Sequence, residues 1–161
     1  MDNSYIKNRT KFAILGKLDT KFQCQYFNNP EWIILSMGKH HDEHLIPRVD
    51  KWFDIHLNPT NVDKNTVHRA EFPMEECEEL VGGKYFNNTM SYLIAYAILQ
   101  GATDIAFYGS RFETDHDLRA GQYHNVRELI FFAKGRGINV TAYDEVILKD
   151  YPYSGKKDFD S

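Results

Sequence analysis

Short apolar runs alternate with stretches of helical periodicity along this chain. Residues 12–15 (FAIL) form an apolar run closed by Gly16. Residues 32–35 (WIIL) form a second, followed by the turn-compatible Ser36, Met37 and Gly38. Such runs suit buried parallel strands. Residues 50–56 (DKWFDIH) predict a third strand, 57–66 a polar loop, and 67–72 a further short strand. Pro73 then opens a helix running to Val81, with Pro favoured at the first helical position, and Gly82 and Gly83 end it. The clearest helix spans 88–100, where Met90, Leu93, Ile94, Ala97 and Ile98 recur at i, i+3, i+4, i+7 and i+8. Asn87 or Asn88 can cap its start, and Gly101 closes it. A strand at 105–108 ends in Gly109. A long helix at 117–134 puts Val126, Leu129, Ile130 and Ala133 on one face, and the last core strand lies at 138–143. Strands alternating with helices predict a Rossmann-like, three-layer α/β domain over 1–150 with a mainly parallel central sheet; 151–161 read as a polar C-terminal tail.

Composition narrows the classes without choosing one. A chain of 161 residues fits a single domain, and 42% apolar and 14% aromatic residues suffice for a core. Nineteen basic against 23 acidic residues give a net charge of −4, which argues against a nucleic-acid polymer as partner. The acidic run Glu75, Glu76, Glu78 and Glu79 reads as a solvated helix face. Cys24 and Cys77 belong to no motif and are expected to be free thiols. No apolar run approaches the roughly 20 residues of a membrane span. The first residues, MDNSYIKNRT, lack the apolar stretch of a signal peptide, so the expected location is cytoplasmic, with no membrane partner.

Ligands of parallel α/β sheets bind outside the carboxyl ends of the strands. Four segments would meet there: Gly16, Lys17 and Thr20 after the first strand; Lys39, His40 and His41 after the second; His56 and Asn58 after the third; and Gly109, Ser110 and Arg111 after the strand at 105–108. Asn88 and Thr89 open the adjoining helix, whose first amides and positive dipole end favour an anion. Lys17, Lys39 and Arg111 gathered near them would favour a phosphate group; the plainer reading is a set of solvated loop residues. His56 and His41 are the candidate bases, His56 because it closes a strand at the ligand edge. The spacing of His40, His41 and His44 invites a metal, but no further ligand completes a set, so neither a metal nor a cofactor is expected. His116 and His124 read as helix-surface residues. Tyr92 and Tyr96, four residues apart, read as packing on the sheet, while Tyr85 or Phe86 could stack on a ligand base. The chain has no G-x-G-x-x-G, Walker loop, nucleophile elbow or H-E-x-x-H.

Residues 86–112 (FNNTMSYLIAYAILQGATDIAFYGSRF), with weaker support from FAILG at 12–16 and PRVDKWFDIH at 47–56, resemble the nucleotide-binding half of bacterial sialyltransferases of the Rossmann-like, sugar-nucleotide-using kind, and a group of small phage-encoded proteins of the same layout. About two thirds of the chain is covered. The resemblance implies a nucleotide pocket. Where that family carries a Gly-x-Gly-Pro-Ser loop, this chain has Gly16-Lys17-Leu18-Asp19-Thr20. An Asn is replaced by His40, a Thr-Ser-Gly by Asn88-Thr89-Met90, and an Asp by Arg111. Small or acidic positions have become cationic, which suits a ligand carrying more phosphate charge. The expected function is therefore binding of a phosphate-bearing, nucleotide-derived small molecule, as in a phage protein that sequesters a host signalling nucleotide. The alternative is a glycosyl- or nucleotidyl-type transferase using a nucleotide-activated donor, with His56 or His41 as base. A bare interaction module is the third reading. A site shared within a homo-oligomer stays open.

Overall fold

The computed structural model describes residues 2–38, 42–59, 65–110 and 117–143, the stretch 117–120 by its backbone alone. Their elements are β1 (Lys11–Leu15), β2 (Trp32–Met37), β3 (Lys51–Asp54), β4 (Thr66–His68), α1 (Met74–Val81), α2 (Thr89–Leu99), β5 (Asp104–Tyr108), α3 (Asp117–Gly135) and β6 (Asn139–Ala142). Three 3-10 turns join them at Ser4–Ile6, Asp19–Gln23 and Glu43–Leu45. All strand pairs are parallel, in the order β4-β3-β2-β1-β5-β6. The chain thus builds outward from β1 to β4, crosses back through α1 and α2, and resumes on the other side of β1. That reversal puts a topological switch point between β1 and β5, where such sheets open a crevice. The expected Rossmann-like parallel α/β fold is what the chain adopts.

Side-chain alternation assigns the two sheet faces. Phe12, Ile14, Ile33, Leu35, Phe53, Val67, Ile105 and Phe107 join the core that also holds the buried sides of α1, α2 and α3. Ala13, Leu15, Trp32, Ile34, Ala106 and Tyr108 point the other way. This second face is covered among the described residues by segments around the 3-10 turns: Cys24, Tyr26, Phe27, Ile46 and Val49. Among the described residues the third layer is therefore made of turns and loops rather than α-helices. Central strands covered on both faces must be apolar throughout, and Phe12, Ala13, Ile14 and Leu15 are all fully buried.

Several predicted boundaries shift. The strand expected at 50–56 spans Lys51–Asp54, so His56 follows the strand rather than closing it. The strand expected at 67–72 stops at His68, because the amides of Glu71 and Phe72 both turn back to the His68 carbonyl (3.0 and 3.1 Å). Pro73 is the residue before α1 rather than its first, and the helix closes in a Schellman-type turn in which Gly83 N–H donates to the Glu78 carbonyl at 2.9 Å. Cys24 and Cys77 are buried free thiols, the latter pushed up to about 12 by burial. None of the helices among the described residues is long and apolar enough to cross a membrane.

Candidate functional site

The loops after β1 and β5 are built against each other. Gly16 N–H donates to the Tyr108 carbonyl (2.7 Å), and Leu18 N–H to the Gly109 carbonyl (3.0 Å). A Cβ on Gly16 would fall 2.3 Å from both the Gly109 carbonyl oxygen and Ser110 Oγ. Gly109 has φ +74°, and a Cβ there would sit 2.8 Å from Lys21 Cβ and 2.9 Å from the Gly16 oxygen. The crossing of two loops therefore accounts for both glycines before any ligand is considered. Lys17 extends from this crossing toward the end of β2: its Nζ lies 3.1 Å from the point a Gly38 Cβ would occupy.

The start of α2 is held in place by a knot of amides. Asn88 is its N-cap: Oδ1 accepts from Ser91 N–H at 3.0 Å, while Nδ2 donates to Ser91 Oγ (2.9 Å), Asn87 Oδ1 (2.8 Å) and Asn125 Oδ1 (3.2 Å). Asn125, on α3 and 5% exposed, also accepts from Asn87 N–H (3.2 Å) and donates to the Tyr85 carbonyl (3.1 Å). Asn87 Nδ2 donates to the Gly121 carbonyl (3.1 Å). The Asn88 side chain is thus spent on the cap. Among the described residues no acceptor meets the amides of Thr89 and Met90, the first two of the helix.

These pieces enclose a cleft of about 350 Å³ at the switch point. Gly16, Lys17 and Leu18 wall it after β1; Met37 and Gly38 after β2; His56 after β3; Gly109 and Ser110 after β5; Asn87, Asn88, Thr89 and Met90 at the start of α2; and Gln122 from α3. The volume is near the lower end for small-molecule sites. The lining residues carry one ammonium, one imidazole, amides and two hydroxyls, and no carboxylate is among the described ones. A larger cleft of about 720 Å³ shares His56, Asn87, Asn88 and Thr89 with it and continues toward Asn58, Arg69, Met74, Phe86 and Tyr92.

Of the residues picked from sequence, Gly16, Lys17, His56, Asn88, Thr89, Gly109 and Ser110 therefore meet at one cleft. Thr20 does not: the chain enters the 3-10 turn Asp19–Gln23 directly after Leu18, which leaves Thr20 half-buried in that turn and away from the lining. Lys39, His40, His41, Arg111 and His116 lie outside the described residues. His44 and His124 are exposed, and the described residues contain no cluster of three metal-ligating side chains. Tyr85 borders a separate recess with Val81, Glu128 and Phe132, whereas Phe86 reaches the larger cleft. Tyr96 packs on Phe53 of β3 as expected (ring centroids 5.2 Å), but Tyr92 turns to Phe72 and Phe86 instead of the sheet.

Lys21, Asn125 and Gln122 escaped the sequence reading. Lys21 is fully buried; its Nζ donates to the Lys17 carbonyl (3.0 Å) and pairs with Asp42 Oδ1 (2.6 Å). It ties the loop after β1 to the one after β2. Within the polar string DTKFQ nothing marks it. Asn125 carried a faint signal, as an amide beside the apolar stripe of α3. No family model, curated protein or solved structure matches this chain.

Proposed function

We propose that this protein binds a phosphate-bearing, nucleotide-derived small molecule in the cleft at the β1–β5 switch point. One observation carries the reading: Lys17, the opening turn of α2 with two amides that meet no acceptor among the described residues, and the hydroxyl-bearing Thr89 and Ser110 all line one cleft whose described walls hold no carboxylate. Backbone amides, hydroxyls and a lysine at a helix start are the groups that hold phosphate in parallel α/β sheets. Retention of an intact signalling nucleotide, as a phage-borne sequestering protein would practise it, is the form of this function that asks for no catalytic group.

Calorimetric titration with a panel of nucleotides and sugar phosphates tests the proposal, with recovery of the small molecule after denaturation. Lys17→Ala is expected to weaken binding tenfold or more while moving the melting temperature of the free protein little, because Lys17 is exposed. Saturating ligand at 100 times its dissociation constant should add about 2.7 kcal/mol to stability. Wild-type protein that binds no phosphate compound, or Lys17→Ala that binds as tightly as wild type, removes the reading. His56 supports transfer chemistry as the second reading, since it lines both clefts and so stands where a donor and an acceptor would meet. Altered rather than intact ligand on recovery, lost in His56→Ala, would favour it.

A further inference from the structure

The larger cleft is chemically unlike the smaller one. Its outer wall is apolar and uncovered: Leu57 is 79% exposed, and Met74 and Phe86 are half-buried beside it. Phe86 is a fixed wall rather than a loose cover, because its ring stacks on Tyr92 with centroids 4.2 Å apart and planes 20° from parallel. Arg69 stands where this cleft meets a wider one of about 1080 Å³ that Glu71, Glu75 and Glu76 also line. Among the described residues its guanidinium has one hydrogen bond, from Nη1 to the Ile55 carbonyl at a long 3.4 Å. That leaves guanidinium donors on a cleft that Leu57, Met74 and Phe86 also line. The two clefts are joined by His56, Asn87, Asn88 and Thr89, so a ligand anchored at Thr89 has a short path from one into the other.

We infer that the larger cleft is the seat of a heteroaromatic base, so that the ligand spans both clefts: phosphate at Lys17 and the start of α2, ring against Leu57 and Phe86. This rests on the phosphate reading of the smaller cleft. The occupant follows from the wall chemistry. An aromatic ring matches a flat apolar surface and a guanidinium plane, and ring carbonyl or nitrogen acceptors match the donors Arg69 has to spare. A second phosphate alone would leave the exposed apolar wall unused, and an aliphatic chain would leave Arg69 unused. The assignment therefore commits to nucleotides over sugar phosphates and inorganic polyphosphate.

The test compares AMP, GMP, CMP and UMP with ribose 5-phosphate by calorimetry on the wild-type protein and on Leu57→Ser and Arg69→Gln. Both substitutions are at exposed positions, which keeps the fold out of the comparison. At least one nucleotide is expected to bind tenfold or more tighter than ribose 5-phosphate. Each variant should lose threefold or more of the nucleotide affinity while ribose 5-phosphate binds as before. Ribose 5-phosphate matching every nucleotide would overturn the base site and leave phosphate binding standing. A nucleotide preference untouched by both variants would also overturn it, by placing the base elsewhere. If neither class of compound binds, the phosphate reading fails, and the base site fails with it.

Discussion

A lysine without exposed surface loses hydration that only a well-placed partner can offset, and Lys21 is such a residue. Its stem runs beneath Gly109, and its ammonium joins the Lys17 carbonyl to the Asp42 carboxylate. Three loops of the sheet's carboxyl edge therefore lean on one side chain. Lys21→Met should cost about 3–5 kcal/mol, because it takes the ammonium away from a buried carboxylate, while Lys21→Met combined with Asp42→Leu should recover most of that loss. Urea denaturation of the two variants measures both quantities. A single variant within 1 kcal/mol of wild type would mean that the pair does not organise the edge. Lys17, four residues earlier, is the contrasting case: exposed, carrying its charge into the cleft, and expected to matter for binding rather than for folding.

At the scale of elements, α2 carries the clearest apolar periodicity in the chain. Its apolar spacing marks a one-sided helix, yet Met90, Ser91, Leu93, Ile94, Ala95, Tyr96, Ala97 and Ile98 are all buried. It is the middle helix of its layer, between α1 and α3. Strands β1, β2 and β5 were legible because continuous apolar runs bounded by turn residues have few other uses in a parallel sheet. The convergence of Gly16, His56, Asn88 and Gly109 followed from the rule that strand ends meet. Lys21 and Asn125 were not legible, since their roles depend on which loops pass nearby, and no local pattern encodes that. Thr20 lies in the 3-10 turn Asp19–Gln23 and off the cleft lining for the same reason. Asn125 sets how α2 begins, through three hydrogen bonds to the segment 85–88. Asn125→Ala should destabilise the fold by about 1–3 kcal/mol and also weaken ligand binding, because the α2 amides lose their fixed aim. Thermal melts and calorimetry on one preparation separate the two effects. Lost stability with unchanged affinity would restrict the knot to a structural role.

At the scale of the whole molecule, the described residues clothe the sheet unequally, with α1, α2 and α3 on one face and turn-borne side chains on the other. The thinner face holds an aromatic group: Tyr26 stacked on Trp32 at 3.6 Å, Tyr108 edge-on to Tyr26 at 6.3 Å, and Tyr143 stacked at 6.2 Å from Tyr108. Burial there pushes the Tyr108 phenol up to about 12 from its ordinary 10, with Cys24 and Tyr26 adding to the effect. On the helical face, burial also raises Tyr5 and Tyr96, whose hydroxyls meet at 2.5 Å. A phenol with a raised value in the folded state holds its proton more tightly than in the unfolded chain. Its contribution to stability is therefore complete below pH 10 and is lost as the pH climbs toward 12. For Tyr108 alone the loss across that window is roughly 2 kcal/mol. Lysines and other tyrosines titrate in the same range, so the informative quantity is a difference. The stability gap between wild type and Tyr108→Phe, taken from urea midpoints at pH 8, 10 and 11.5, should be constant up to pH 10 and then shift by 1–2 kcal/mol in favour of the phenylalanine variant. A gap that stays flat through pH 11.5 would mean that the Tyr108 hydroxyl reaches water, and that the turn-covered face is more open than its packing implies.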